Sequence, residues 1–531
     1  MFDLLIKNGT VVDGTGAARC KADIAVKDGT IAKIAPSIDD CARRVIDAEG
    51  LIVSPGFIDV HTHSDGRVFQ KDTTGYNHLE SGTTTELAGQ CGTLVAPYYG
   101  EYDPTIGLTE EEYKKVCESY TSFFKYVENI PHGANLAFFA GQGGIRGKVM
   151  GLGEGTPDKT QLAQMRELMA EAMECGCLGF STGLVYTPSV FAGTDELIEI
   201  AKVAHQYGGV YTTHIRGEGN QLKESIEEAL VIGRASGIPV NISHIKVIGK
   251  HNEGKSAEII KYIEDNQKAG MTITADQYPF LGGSAPLVSQ IPPKFLTKGK
   301  LEGIKALVAD PELRKKALWS IMNEADEFES NIYSAGFEGS LIAGAYKTPQ
   351  YVGKTLAQIA KEEGIAPFDA CVRILDENEG IVQGIYFSQN ETDLLRFLSQ
   401  GWVMAGSDWS DYGEPINPEK KSGGHPRGMA TMVRRLELIR DKGLWSLEDA
   451  IYRMTGMPSE VYGLPNIGKL KEGLSADITI FDYSGLKSEA DYDYPFKRNQ
   501  GIEYVLVNGG IAVEHGRFTG LRNGKILKKA K

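Results

Sequence analysis

Cysteine is sparse in this chain of 531 residues, and its seven copies are scattered along the whole length. An odd, scattered set does not build a disulfide framework, which excludes the class of small disulfide-stabilised secreted domains. No apolar stretch is long enough to cross a bilayer, and the first residues lack the charged segment and apolar core of a secretory signal. We therefore predict a cytoplasmic protein with no membrane partner.

Basic residues are also fewer than acidic ones. Lys and Arg number 56 against 70 Asp and Glu, the formal net charge is −14, and no run of basic residues stands out. Because a nucleic acid requires a positive surface, it is not an expected partner. The hydrophobic share of 41% is ordinary for a globular protein, and the length exceeds what one core supports. We expect one large domain and a smaller companion.

The motif His61-Thr62-His63 closes an apolar run that covers residues 51–60. Residues two apart on a strand point the same way, so both imidazoles would project towards one point where a metal ion could bind them. A His-x-His pair on its own often lies on the protein surface and binds no metal. Four further apolar runs end in the same manner, and their last residues are Cys91, His214, His244 and Asp408.

Strand-like runs alternate with helix-like patterns, such as 160–175 and 195–206, through the middle of the chain. Eight such alternations are typical of an α/β protein with a (β/α)8 TIM-like barrel, whose strands end on one rim. The six candidate ligands would then meet on that rim. The candidate strands are 52–60, 83–90, 135–141, 177–183, 209–214, 239–244, 271–277 and 402–408. A ninth run, 384–388, is either an extra strand or a replacement for one of these.

The two ends of the chain are rich in short alternating runs with Asn-Gly and Asp-Gly turns. We predict that residues 1–50 plus 465–531 form a small β-sandwich domain beside a metal-dependent barrel domain at 51–464. A segment at about 282–346, with a helical pattern at 301–325, is inserted after the seventh strand and must lie over the rim. We interpret it as a lid, and the alternative is a rigid decoration.

Six short motifs stand at or near the strand ends: Pro55-Gly56-Phe57-Ile58-Asp59, Gly89-Gln90-Cys91-Gly92, Thr213-His214-Ile215-Arg216-Gly217-Glu218, Ser243-His244-Ile245-Lys246, Gly406-Ser407-Asp408 and His425-Pro426-Arg427. Together with the H-x-H pair they resemble the amidohydrolase superfamily, and within it the D-aminoacylases, which are N-acyl-D-amino-acid deacylases. The likeness runs from the first hairpin to roughly Asp482.

The resemblance implies which residues bind metal and substrate. A tightly bound zinc ion would have the ligands Cys91, His214 and His244, and a second, weaker site would have His61, His63 and Asp408. The substrate α-carboxylate would be bound by Lys246, Tyr278, Ser284 and Arg427. A thiolate with two imidazoles favours zinc and leaves a coordination position open. Many relatives bridge two metal ions with a carboxylated lysine on strand four. The corresponding residues here, 178–183, include no lysine, and Cys91 would take the place of that bridge.

The expected reaction is the hydrolysis of an N-acyl-D-amino acid, a small-molecule substrate, to a D-amino acid and a carboxylate. Zinc would lower the pKa of a bound water and polarise the amide carbonyl. Asp408 would take a proton from that water and deliver it to the departing amine, although a Gly-Ser-Asp sequence is also an ordinary turn or helix cap. Two alternatives remain open: a cyclic-amide hydrolase of the hydantoinase or dihydroorotase type, and a non-catalytic scaffold.

Overall fold

The structure is a computed structural model that describes residues 1–70, 75–102, 106–296, 299–413 and 415–530. The strands that precede the insertion described below are β1 (Phe2–Val11), β2 (Cys20–Lys27), β3 (Thr30–Ala35), β4 (Ala42–Asp47), β5 (Ile52–Pro55), β6 (Phe57–Asp59), β7 (Thr83–Ala88), β8 (Asn135–Phe138), β9 (Ala140–Gly141), β10 (Gly179–Gly183), β11 (Val210–His214), β12 (Val240–Ile242) and β13 (Ile273–Gln277). The remaining strands are β14 (Gly283–Pro286), β15 (Ser340–Ala345), β16 (Val382–Tyr386), β17 (Val403–Ala405), β18 (Ile478–Phe481), β19 (Ile502–Val507), β20 (Gly510–Glu514) and β21 (Arg517–Phe518).

The helices are α1 (Tyr76–Leu79), α2 (Glu110–Val116), α3 (Tyr120–Val127), α4 (Gln142–Met150), α5 (Lys159–Cys175), α6 (Thr194–Gln206), α7 (Leu222–Ser236), α8 (Ser256–Lys268), α9 (Lys300–Ala309), α10 (Pro311–Asn323), α11 (Asn331–Ala335), α12 (Leu356–Glu363), α13 (Pro367–Glu377), α14 (Glu391–Leu398), α15 (Arg427–Lys442), α16 (Leu447–Met454) and α17 (Gly456–Tyr462). Within the described ranges, no helix combines the length and the apolar character that a membrane crossing requires.

Strands from both ends of the chain share one nine-stranded sheet with the order β21-β20-β19-β18-β5-β1-β2-β3, and β4 pairs with β1. β5 joins the two ends because it pairs with β1 in parallel and with β18 in antiparallel fashion. Fully buried Ile24 and Ile480 belong to one hydrophobic cluster drawn from both ends. The predicted strand 52–60 is therefore wrong as a single barrel strand. Its first half belongs to this sheet because Pro55 and Gly56 interrupt the run.

The barrel wall consists of two parallel sheets, β6-β7-β8 and β17-β13-β12-β11-β10-β9. β8 and β9 are two halves of the predicted strand 135–141, and they pair with β7 and β10 respectively, which joins the sheets at one seam. At the other seam no ladder joins β6 to β17 among the described residues. There a backbone hydrogen bond of 3.2 Å runs from Val60 N to Ala405 O. The predicted eight-strand order and the fold class are confirmed.

Residues 283–386, between β13 and β17, form the insertion. β14, β15 and β16 pair there in an antiparallel sheet, so the predicted ninth run, 384–388, corresponds to an extra strand outside the barrel. The predicted helical pattern at 301–325 is two helices, because Asp310 caps a new helix whose first residue is Pro311. One hydrophobic cluster extends from Leu287 to Val382, so the described part of this segment packs as a unit.

The local sequence sets the helix boundaries in the barrel. At α5, the Asp158 side chain accepts hydrogen bonds from the backbone of Thr160 and Gln161. The Gln161 side chain in turn accepts a hydrogen bond from the backbone N–H of Asp158. Gly176 ends the helix with a φ of 111°, a conformation that favours glycine. The helical patterns predicted at 160–175 and 195–206 are confirmed as α5 and α6.

Candidate metal centre and substrate-binding site

The sulfur of Cys91 lies among the predicted ligands. Its Sγ atom is 3.5 Å from His61 Nε2, 3.7 Å from His214 Nδ1 and 3.6 Å from His244 Nε2. The potential ligand atoms of His61, Cys91, His244 and Asp408 all lie within 4.8 Å of one another. The two ligand sets implied by the resemblance are thus not separate in space, because Cys91 contacts histidines of both.

His63 joins this group through Asp408. Asp408 Oδ1 is 3.1 Å from His63 Nε2 and 3.5 Å from His61 Nε2. β6 ends at Asp59, so the two histidines lie just beyond the strand and not on it, contrary to the expectation from alternation. Backbone bonds hold this segment in place, since Thr62 N donates to Leu87 O and His63 N donates to Trp409 O at 2.8 Å.

Each histidine beside the sulfur turns its other ring nitrogen towards a carboxylate. His61 Nδ1 is 3.1 Å from Asp276 Oδ1, and His244 Nδ1 is 3.1 Å from Glu218 Oε1. His214 Nε2 is 4.0 Å from Glu218 Oε2. A carboxylate that accepts a hydrogen bond from the outer nitrogen keeps the proton there, and the inner nitrogen then has a lone pair for a metal ion.

Sequence reasoning missed Asp276 and Glu218 as functional residues. Asp276 lies in a run that ends as the other ligand-bearing runs do, and Glu218 follows His214 by four residues in a motif already singled out. The position of Asp276 at a strand end and the place of Glu218 in that motif were therefore sequence signals that could have identified both residues. Asp276 also accepts hydrogen bonds from His244 N at 2.8 Å and from Asn241 Nδ2 at 2.7 Å, so it orients two of the histidines.

Three of the candidate ligands have left-handed backbone conformations. The φ angles are 51° at Cys91, 36° at His244 and 54° at Asp408. For a residue other than glycine such a conformation costs on the order of 1–3 kcal/mol, and it concentrates at functional sites. The surrounding backbone compensates, because Asp408 N donates to His61 O at 2.8 Å. Gly406 permits the close approach, since a Cβ there would lie 2.7 Å from His61 Cβ.

The positive charges of the cluster favour the anionic forms of its thiol and carboxyl groups. Burial alone would raise the pKa of Cys91, but His61, His214 and His244 outweigh burial and hold that pKa well below its ordinary value. Cys91 is therefore a thiolate, the form that binds metal ions. Burial likewise opposes ionisation of Asp408, yet Arg427 leads the positive neighbours that hold the pKa of this carboxyl well below its usual range.

Arg427 lies against Asp408 at the edge of the cluster. Its Nη1 atom is 2.8 Å from Asp408 Oδ2. The guanidinium plane is held by two aromatic rings, with its central carbon 4.7 Å from the Tyr278 ring centroid and 5.2 Å from that of Trp409. Among the described residues Arg427 Nε is buried without a hydrogen-bond partner, which leaves a donor for a ligand.

Lys246 lies two residues after His244 in the sequence, and the two side chains are in direct contact. β12 ends at Ile242, so Lys246 is in the following loop and not on the strand face. Its Nζ atom is 2.8 Å from His244 Nδ1 and forms an ion pair with Glu218. Burial opposes the charges of this pair, but the Lys246 ammonium lowers the pKa of Glu218 to about 2. Because the Lys246 ammonium group contacts both Glu218 and His244 Nδ1, Glu218 acts as an outer partner of His244 and does not form a separate cation site with it.

Tyr278 and Ser284 are placed differently with respect to the cluster. The Tyr278 ring centroid is 5.9 Å from Lys246 Nζ, and its hydroxyl accepts a hydrogen bond from Gln389 Nε2 at 3.2 Å. Ser284 instead donates to Gly384 O at 2.9 Å, within the antiparallel sheet of the insertion. Tyr278 therefore lies beside both basic residues, whereas the contacts of Ser284 lie in β14 and β16.

Tyr186 is a further neighbour that the sequence did not suggest. Its ring centroid is 5.1 Å from that of His214. Burial raises the pKa of Tyr186 well above its ordinary value, and the charges of Cys91, Asp408 and Glu218 add to the effect. The hydroxyl is therefore protonated and able to donate a hydrogen bond near the cluster.

The donor atoms fit a zinc ion. With about 2.3 Å to sulfur and about 2.0–2.1 Å to nitrogen, tetrahedral angles separate the two ligand atoms by roughly 3.5 Å. The distances from Cys91 Sγ to the three imidazole nitrogens are 3.5, 3.6 and 3.7 Å. A thiolate with imidazoles is a soft donor set of the kind that zinc prefers. The residues present therefore suit that metal in both spacing and chemistry.

Known proteins resemble this chain over its whole length. The family model described as "Amidohydrolase family" matches residues 44–290 and 320–513. A D-aminoacylase of Alcaligenes xylosoxydans xylosoxydans is 31% identical over 531 residues, which cover 99% of this chain and 98% of that protein.

Two solved structures share the fold. A crystal structure of D-aminoacylase, described as defining a novel subset of amidohydrolases, has a TM-score of 0.83 and 31% identity, with 100% of both chains covered. An N-acyl-D-glutamate deacylase of Bordetella bronchiseptica was solved with zinc and a phosphonate inhibitor that mimics the tetrahedral intermediate. It has a TM-score of 0.82 and 28% identity, with 99% of each chain covered.

Proposed function

Since the chain belongs to the amidohydrolase family, we propose that it is a zinc-dependent hydrolase that converts N-acyl-D-amino acids to D-amino acids and carboxylates. The observation that carries the proposal is the group of ligands around Cys91, with Arg427 directly beside Asp408. The group supplies a metal site, and Arg427 supplies a partner for a free carboxylate, which are the two requirements of this reaction.

Cys91, His214 and His244 would hold the tightly bound zinc ion, and His61, His63 and Asp408 would form the second, weaker site. Bound zinc would activate a water molecule and polarise the acyl carbonyl. Asp276 and Glu218 hold the protons of the outer ring nitrogens and so fix the orientation of the histidine rings.

Asp408 is the proposed proton carrier. Its carboxylate contacts His61 and His63 and is the proposed acceptor of a proton from the attacking water. The same carboxyl then delivers that proton to the nitrogen of the departing amine. The contacts of Oδ1 with His63 and of Oδ2 with Arg427 fix its orientation for both steps.

The α-carboxylate of the substrate is the proposed ligand of Arg427, Lys246, Tyr278 and Ser284. Arg427 offers a planar fork with an unpartnered Nε, and Lys246 lies within 5.9 Å of the Tyr278 ring centre. The role of Ser284 rests on the family resemblance, because its hydrogen bonds lie in the insertion sheet.

The two alternative functions are less well supported. A hydantoin gains a carboxylate only on ring opening, so a hydantoinase does not require Arg427 as a carboxylate partner in the ground state. A non-catalytic scaffold does not require the strained backbone at Cys91, His244 and Asp408.

The paired hydrolysis of N-acetyl-D and N-acetyl-L amino acids tests the proposal. We expect the purified protein to release D-amino acids, to lose activity on chelation and to recover it when zinc is returned. A hydantoin or dihydroorotate assay separates the cyclic-amide alternative. Activity on L substrates alone, or activity that a strong chelator leaves unchanged, would contradict the assignment.

Three further expectations from the sequence stay predictions. They are the cytoplasmic location, the division into a domain of 1–50 plus 465–531 and one of 51–464, and the movement of 282–346 as a lid. Limited proteolysis tests the lid, since closure over a bound inhibitor would slow cleavage of this segment.

A further inference from the structure

Glu329, a residue of the insertion, contacts the barrel loop that carries Glu218. Its Oε2 atom accepts a hydrogen bond from Glu218 N at 2.6 Å and another from Gly219 N at 2.7 Å. A Cβ placed on Gly219 would lie 3.2 Å from the same oxygen, so the carboxylate rests directly on this backbone. Both bonds end on the same carboxyl oxygen, and together they fix the position of the loop.

The neighbouring residue Asp326 binds the next part of the same loop. Its Oδ1 atom accepts a hydrogen bond from Asn220 Nδ2 at 2.7 Å, and its carbonyl oxygen accepts one from Gln221 Nε2 at 2.6 Å. The insertion therefore contacts four consecutive residues between β11 and α7. Asp326 and Glu329 differ in one respect, because only Glu329 contacts the residue that orients a candidate ligand.

Glu218 connects this loop to the cluster. Its Oε1 atom lies 3.1 Å from His244 Nδ1 and forms an ion pair with Lys246. A shift of the Glu218 backbone would move both contacts. His244 would then lose the partner that directs its Nε2 atom towards Cys91 Sγ, 3.6 Å away.

The arrangement is electrostatically unfavourable for Glu329 itself. Burial, with the charge of Glu218 as the next cause, raises the pKa of Glu329 to about 8. At neutral pH the side chain is therefore mostly protonated, and it acts as a neutral acceptor. Its oxygen still accepts the two short backbone bonds, which place the acid beside the loop of Glu218.

We propose that Glu329 is a positioning residue that, by holding the backbone of Glu218 and Gly219, keeps Glu218 against His244 and Lys246. The insertion thereby sets the orientation of a metal ligand and of a substrate-binding ammonium group. The inference rests on the proposed function for the role of Lys246, but its effect on His244 concerns metal binding alone.

Three variants test the inference on the full chain. Glu329→Ala removes the acceptor, Glu329→Gln keeps a neutral acceptor oxygen, and Asp326→Ala removes a contact from the same segment without touching Glu218. Each metal-free protein is titrated with cobalt(II), and the thiolate-to-cobalt absorption band and the visible ligand-field bands are recorded. Competition with a chelator gives zinc affinity, and thermal melting gives the stability of each variant.

We expect Glu329→Ala to weaken metal affinity roughly 10–100-fold, which is typical of lost outer partners of a metal-binding histidine, and to shift the visible bands. Glu329→Gln should restore both towards the wild-type values at neutral pH. Asp326→Ala should lower the melting temperature with little change in the metal spectrum. KM for an N-acetyl-D-amino acid should rise in Glu329→Ala because Lys246 loses its fixed partner.

Equal spectral and affinity changes in Glu329→Ala and Asp326→Ala would overturn the inference, as would an unaltered spectrum in Glu329→Ala. A wild-type protein without a thiolate-to-cobalt band would overturn both the inference and the proposed function. If the expected metal differences appear but N-acyl-D-amino acids are not hydrolysed, the positioning role stands and the proposed function fails.

Discussion

At the scale of single residues, three features fix the charge state and the orientation of Asp408, the proposed proton carrier. It is buried, it is ionised because Arg427 and the histidines lower its pKa, and its backbone is held in a left-handed conformation. Each feature has an identified cause in the surrounding contacts. The orientation of this side chain is therefore fixed before a substrate arrives, which reduces the reorganisation that the reaction needs.

Replacement of Asp408 by Asn removes the proton acceptor and keeps the shape, and Asn tolerates the φ of 54° better than most residues. We expect kcat to fall by roughly 10²–10⁴-fold, the usual contribution of acid–base catalysis, while zinc content stays near the wild-type value. Steady-state kinetics and metal analysis check both. Exposed Asp441→Asn serves as the control, and a near-native kcat in Asp408→Asn would rule out the proton-carrier role.

Replacement of Arg427 by Lys keeps the positive charge but loses the planar fork between Tyr278 and Trp409. We expect KM for an N-acetyl-D-amino acid to rise roughly 10–100-fold, in line with the loss of a charge-assisted hydrogen bond. The wild-type preference for a free carboxylate over the matching carboxamide should disappear in parallel. Arg434→Lys, on the same helix, is the control, and an intact preference in Arg427→Lys would refute carboxylate binding by this residue.

At the scale of elements, the strands of the barrel were predictable because a parallel strand buried on both faces leaves a short, continuous apolar run. β7, β10, β11 and β13 are buried at every position, including their Thr, Ser, Asp, Glu and Gln residues. Cys91 follows β7, and His214 is the last residue of β11. The extent of the insertion was not predictable. Ser284 pairs with Ile385 across about a hundred residues, and antiparallel pairing at that separation leaves no local pattern.

The partners of the ligands were also beyond sequence reasoning, for a different physical reason. Asp276 contacts His61, which lies 215 residues earlier in the chain, through side-chain directions that only the assembled barrel wall defines. The left-handed φ angles at Cys91 and His244 turn these side chains inward after their strands have ended. Strand periodicity carries no information about such turns.

The contact between the insertion and the barrel makes the stability of the protein depend on pH through the titration of Glu329. Its pKa is about 8 in the folded protein because of burial and the charge of Glu218, which Lys246 partly offsets, and it lies far above the ordinary value. The associated stability is fully present below the unfolded pKa and is lost as pH rises through the folded pKa. We expect the melting temperature of the wild type to fall more than that of Glu329→Gln between about pH 5 and about pH 9.

Thermal melting of both proteins across that pH range measures this difference. The comparison cancels all other titrating groups, because Glu218 and Lys246 are present in both proteins. Parallel curves for the wild type and Glu329→Gln would show that Glu329 titrates at its ordinary pH and would contradict the burial of its carboxyl.

At the scale of the whole molecule, the nine-stranded sheet ties the two ends of the chain together. Replacement of fully buried Ile480 by Ala should lower the free energy of unfolding by about 2–5 kcal/mol, because its cluster contains residues of both ends. Hydrogen exchange should show β1, β2, β18 and β19 losing protection together. Exposed Val45→Ala should change little, and a loss confined to the C-terminal strands would contradict a shared core.

The metal centre is the feature on which the site and the proposed reaction both depend. X-ray absorption at the zinc edge of the zinc-loaded protein measures its ligands directly. We expect one sulfur at about 2.3 Å with nitrogen and oxygen ligands at about 2.0–2.2 Å, and the sulfur contribution should vanish in Cys91→Ser. A spectrum without sulfur, or one that Cys91→Ser leaves unchanged, would contradict a zinc ion held by Cys91 and its neighbouring histidines.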